Sequence, residues 1–103
     1  MGEGNQDGTI MGQTQRTFVT PPSFNNEVEV TINKHDGKAE TSVVICTHTA
    51  DGHMQNVTSY TFPNENTART KKFTVSNAKG KIIIVAMRNK SVGNKFEYRI
   101  KAD

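Results

Sequence analysis

The sequence predicts an all-β domain: an antiparallel β-sandwich of about seven strands, with a small β-barrel as the alternative. Three observations carry this. Apolar and polar residues alternate at a period of two in several segments, and nowhere is there the 3.6-residue repeat of an amphipathic helix. Turn signals recur at short intervals, at Asp36-Gly37, Asp51-Gly52, Gly80 and Gly93. Thirteen Thr and ten Asn suit half-exposed strands and turns respectively. A chain of 103 residues with a 33% hydrophobic fraction makes one domain with a modest core.

Residues 1–8 (MGEGNQDG) are polar and Gly-rich and are expected to be a flexible N-terminal segment, leaving residues 9–103 as the sandwich. Residues 9–20 form a first strand, ended by Pro21-Pro22 because proline cannot donate to a ladder. Val28, Val30 and Ile32 then alternate with Glu27, Glu29, Thr31 and Asn33, which puts carboxylates opposite an apolar face. Asp36-Gly37 reads as a hairpin turn leading into residues 41–49. That strand is apolar on both faces at Val43-Val44-Ile45-Cys46 and is placed centrally. After Asp51-Gly52, residues 54–62 form a more polar strand. Residues 63–68 are a loop, and residues 69–75 are a strand with Phe73 and Val75 inward. Residues 81–88 hold Ile82-Ile83-Ile84-Val85, the second doubly apolar run. In residues 95–101, Phe96, Tyr98 and Ile100 point inward. The expected core is Val28, Val30, Ile32, Val44, Ile45, Phe73, Val75, Ile82, Ile84, Val85, Phe96, Tyr98 and Ile100. The run from Lys71 to Ile100 resembles the C-terminal sandwich modules appended to secreted bacterial hydrolases. Many sandwiches share that pattern, and no site residue follows from it.

Charge is divided along the chain. Three basic and eight acidic residues precede Arg69, whereas ten basic and two acidic residues lie from Arg69 onward. Sequential strands usually lie side by side, so the basic residues are expected to form one positive region that attracts a polyanion. Lys95, Arg99 and Lys101 are its clearest surface members, joined by Arg69 and Lys72. The structural alternative is that Glu27 and Glu29 pair with the last strand, within a subunit or between subunits. Nucleic-acid binding is the weaker option, because Phe73, Phe96 and Tyr98 fall on inner faces where no base can stack on them.

No catalytic or cofactor motif accompanies the charge. Ser residues lie outside any Gly-x-Ser-x-Gly elbow, Cys46 is mid-strand, and His35-Asp36 is explained by turn chemistry, so the chain is read as a non-enzyme. Cys46, His48 and His53 do not match a zinc pattern, no calcium-loop spacing appears, and no metal or cofactor is expected. One cysteine rules out an internal disulfide. No apolar run approaches the ~20 residues of a membrane span. Residues 1–8 lack a signal-peptide pattern, although the reading leans to an extracellular or surface-associated setting.

The function expected is therefore a non-catalytic, lectin-like module. It would bind a carbohydrate or cell-surface polyanion through loops and a basic C-terminal strand face. Tyr60, with Asn56 and His53 nearby, is the best substitute for the missing Trp as a sugar platform. The alternative is a self-assembling subunit with paired acidic and basic faces.

Overall fold

The computed structural model describes residues 4–103, apart from the side chain of Asp36. Among these residues there are eight strands and no helix: β1 (Gly4–Ile10), β2 (Gln15–Val19), β3 (Glu27–Asp36), β4 (Thr41–His48), β5 (Met54–Phe62), β6 (Arg69–Ser76), β7 (Ile82–Asn89) and β8 (Phe96–Ala102). They form two four-stranded antiparallel sheets, ordered β1-β8-β3-β6 and β2-β7-β4-β5. The chain crosses between sheets at every connection except the β4–β5 hairpin, which is the jelly-roll arrangement of a double-sheet sandwich.

The expected sandwich is present, with the first strand divided in two. Residues 9–20 are broken at a tight turn where Gln13 takes a positive φ of 60° and Thr14 Oγ1 donates to Met11 O at 2.6 Å. Residues 4–8, expected to be flexible, instead form most of β1, and Asp7 lies opposite Arg99 of β8. Residues 1–3 of that expected segment lie outside the described residues. Backbone pairing with β8 holds β1 as the edge strand of its sheet, so its polar side chains do not prevent order.

The expected hairpin at Asp36-Gly37 is a crossover, because β3 and β4 belong to different sheets. Gly37 is needed for close approach: a Cβ there would lie 1.9 Å from Lys95 O, and its φ is +114°. Asp51-Gly52 does form the hairpin between β4 and β5, closed by Thr49 N donating to His53 O at 2.9 Å.

The inner faces meet in one core. β3 supplies Val28, Val30 and Ile32, β8 supplies Phe96, Tyr98 and Ile100, and β6 supplies Phe73 and Val75. Facing them are Phe18, Val43, Ile45, Phe62, Ile83, Val85 and Met87. Three expected core residues are corrected here. Val44 is 39% exposed, and Ile82 and Ile84 are only half-buried, because strict alternation directs them to the outer face while Val43, Ile83 and Met87 take the inner one. Phe62 bridges the sheets, 5.2 Å from Phe96 and 5.0 Å from Tyr60 between ring centroids. Lys34 ends the inward row of β3. It is buried, and its ammonium donates to Glu65 O, anchoring the β5–β6 loop.

Candidate functional site

The sheet orders leave β5 and β6 as edge strands on the same side of the sandwich. Between them opens a cleft of about 290 Å³, lined by Thr47, Gln55, Asn56, Val57, Thr74, Ser76, Asn77 and Lys81. Local structure explains its shape. A register shift between Ile45 and Cys46 leaves Val57 as the extra residue of β5, and such a bulge re-aims nearby side chains. Asn77 follows β6 with φ 56°, a left-handed conformation that Asn tolerates. Ala78 N donates to Asn26 O and Gly80 N to Ser23 O, so the β6–β7 turn is stapled to the β2–β3 loop.

The lining is amide, hydroxyl and one ammonium, with Val57 as its apolar wall. Among the described residues, the side chains of Gln55, Thr74, Ser76, Asn77 and Lys81 make no hydrogen bond or ion pair with another residue. Asn56 Oδ1 accepts the Cys46 thiol at 3.1 Å.

A larger bowl of about 440 Å³ lies over β1 and β8, lined by Asp7, Gly8, Thr9, His35, Glu97, Tyr98 and Arg99. Its charges are already joined. Arg99 Nε and Nη2 reach the two Asp7 oxygens at 2.7 and 3.1 Å. The Arg99 guanidinium holds the Asp7 carboxyl below its ordinary range, and Asp7 raises Arg99 in turn. Beneath it, burial pushes the Tyr98 hydroxyl up, and that hydroxyl lies 3.1 Å from Gln6 Oε1.

The structure disperses the residues expected to bind ligand. β6 and β8 flank β3 in one sheet while β7 lies in the other, so the three basic strands do not form one face. Each basic residue of the expected site has a carboxylate partner: Lys95 with Glu97 at 3.5 Å, Arg99 with Asp7, Lys101 with Asp103 at 3.0 Å, Lys72 with Glu29 at 3.9 Å, and Arg69 with Glu65. Tyr60 faces inward, with Lys71 Nζ 4.9 Å from its ring centroid, so it is not a bare stacking platform. His53 lies in the β4–β5 turn, its backbone N–H bonded to Thr49 Oγ1 at 3.0 Å. Only Asn56 lines the cleft. Sequence reasoning missed Gln55 and Asn77 and placed Lys81 only within the general basic region; the available signal was an Asn-containing turn directly after an exposed strand.

Cys46 and His48 share the outer face of β4, with His53 beyond the strand end. Among the described residues, no group of three or more His, Cys, Asp or Glu side chains is placed to hold a metal. No helix in the described residues is long and apolar enough to cross a membrane.

The two-sheet sandwich fold is shared with solved proteins that include carbohydrate-binding modules. It is similar to the Family 16 Carbohydrate Binding Module-2, with a TM-score of 0.59 and 11% identity over 94% of this chain and 75% of that one. It resembles TmCBM61, solved in complex with β-1,4-galactotriose, equally well: TM-score 0.59, 11% identity, 94% of this chain and 69% of that one. The same fold occurs in the Yersinia pseudotuberculosis-derived mitogen, with a TM-score of 0.65 and 14% identity over 96% of this chain and 82% of that one. No protein-family model matches the chain, and no curated protein matches it in sequence.

Proposed function

We propose that this chain is a non-catalytic carbohydrate-binding module that takes its sugar in the cleft between β5 and β6. The observation that carries this reading is the convergence of uncommitted amide and hydroxyl groups from two edge strands and one turn. Sugar hydroxyls both donate and accept, and Gln55, Asn77, Thr74 and Ser76 offer both functions within one opening. Val57 supplies a small apolar surface for the C–H face of a ring. The cleft lies at the lower end of ligand-site volumes, which suits about one or two sugar units. With no aromatic ring in its lining, each contact contributes about 0.5–1.5 kcal/mol and affinity rests on several weak hydrogen bonds.

The test is a titration of ¹⁵N-labelled protein with a panel of neutral and anionic oligosaccharides, repeated on Gln55→Ala/Asn77→Ala and on Lys95→Gln/Arg99→Gln/Lys101→Gln. Shift changes around Gln55, Val57 and Asn77 that vanish in the first variant and persist in the second are expected. Binding that survives the first and vanishes in the second would move the site to the β8 face and restore the polyanion reading.

A further inference from the structure

Lysines stand at three inward positions among the described residues, and the fold treats them differently. Lys34 ends the inward row of β3, is buried, and donates to Glu65 O. Lys71 precedes Phe73 and Val75 on the inward row of β6, and its ammonium lies 4.9 Å from the Tyr60 ring centroid and 6.0 Å from that of Phe73. Lys81 directly precedes β7, where alternation puts it on the side that Ile83 and Val85 turn inward. Its backbone is fixed. Lys81 N donates to Ala78 O at 2.9 Å, and Lys81 O accepts Ser23 N at 3.0 Å and Ser23 Oγ at 3.1 Å. The residue is half-buried in the cleft wall, and among the described residues its ammonium meets neither a carboxylate nor a ring.

We infer that Lys81 makes the cleft selective for an acidic sugar, a uronic acid whose carboxylate takes the place of the missing partner. This rests on the cleft being the sugar site. Its lining holds one cation and no carboxylate, so an acidic sugar gains a charge-assisted hydrogen bond without meeting a competing anion in the wall. Gln55, Asn77, Thr74 and Ser76 stay available for the ring hydroxyls. The surroundings limit the ligand to one charge. A cleft of about 290 Å³ takes about one or two sugar units, and only one carboxylate can sit beside Lys81. Glu27, which pairs by register with Ser76, stands on the outer face of β3 and outside the lining, where it opposes further negative groups along the glycan. A densely sulfated polymer is therefore the wrong ligand. A half-buried ammonium is also screened less than an exposed one, so the preference survives physiological salt.

The test compares matched disaccharides, galacto- and gluco-configured, each as the uronate, the uronate methyl ester, the neutral sugar and the 6-sulfate. Affinities are read from ¹⁵N shift titrations of the wild type, Lys81→Gln and Lys81→Arg, with circular dichroism to confirm folding. In the wild type a uronate should bind about ten-fold or more tightly than its methyl ester and its neutral counterpart, with shifts at Gln55, Asn77 and Lys81. That ratio should fall to near one in Lys81→Gln and be largely restored in Lys81→Arg, a recovery that loss of structure alone would not give. Equal affinity for uronate and neutral sugar in the wild type would overturn the inference and leave the cleft as a neutral-sugar site. A uronate preference that survives Lys81→Gln, or a 6-sulfate that binds as tightly as the uronate, would overturn it too. Shifts that avoid Gln55 and Asn77 with every sugar would instead remove the cleft reading on which the inference stands.

Discussion

Asn89 offers a test of how the loop end of the sandwich is held. It closes β7 and is fully buried. Its Nδ2 donates to Ile10 O and to Asn94 O, both at 2.9 Å. Its Oδ1 accepts Ser91 N at 2.9 Å and Ser91 Oγ at 2.6 Å. One amide thus joins the end of β1, the end of β7 and the β7–β8 loop. Asn89→Ala removes all four bonds and leaves two carbonyls, an N–H and the Ser91 hydroxyl facing the space of the lost side chain. At about 1 kcal/mol per bond, with the loop side relaxing toward water, the loss is about 2–4 kcal/mol. For a domain of this size, Tm falls by about 10–30 °C. Urea titration followed by circular dichroism measures the loss, and an unchanged m-value shows that the unfolding transition is the same one. Asn89→Asp is the informative companion. It keeps the acceptor but sets a carboxylate against two carbonyl oxygens. Burial there raises its pKa in the fold, so the penalty is full at neutral pH and shrinks as falling pH protonates the group. A loss below about 1 kcal/mol for Asn89→Ala, or an Asn89→Asp variant as stable as the wild type at pH 7, would refute the reasoning.

Gly37→Ala places a methyl 1.9 Å from Lys95 O at φ +114°, and backbone is not free to yield; a loss of about 3 kcal/mol or more, or failure to fold, is expected. Gly80→Ala, with open space and φ +79°, carries only the left-handed penalty of about 1–2 kcal/mol, so equal melting shifts for the two would remove the close-approach argument. Gly8→Ala brings a methyl to 2.7 Å from the Tyr98 hydroxyl, whose ring is 1% exposed and cannot swing out; thermal melts should show a loss of about 1–3 kcal/mol. The Asp7 carboxyl is depressed chiefly by its hydrogen bond from Arg99, so the stability it contributes is present above the ordinary carboxylate pKa and disappears as pH falls through the lower folded value. An NMR titration should show Asp7 moving up toward its ordinary range in Arg99→Gln, and no movement would break the assignment.

Alternation made the inward rows of β3 and β8 legible, because Val28-Val30-Ile32 and Phe96-Tyr98-Ile100 each admit one face. The doubly apolar runs were ambiguous for a physical reason. Val44 and Ile84 look like core by composition, and only the pairing partners decide which of two apolar faces turns inward. Strand order was hidden as well. A local signal such as Asp36-Gly37 reports that the chain turns, but not whether it returns to the same sheet. That error spread to the charges: with β6, β7 and β8 imagined side by side, ten basic residues looked like one surface. Asp7, the partner of Arg99, had been assigned to a flexible segment. Of the cleft only Asn56 was legible, since the opening joins Gln55 of one sheet edge to Asn77 beyond the other, and no spacing records that neighbourhood.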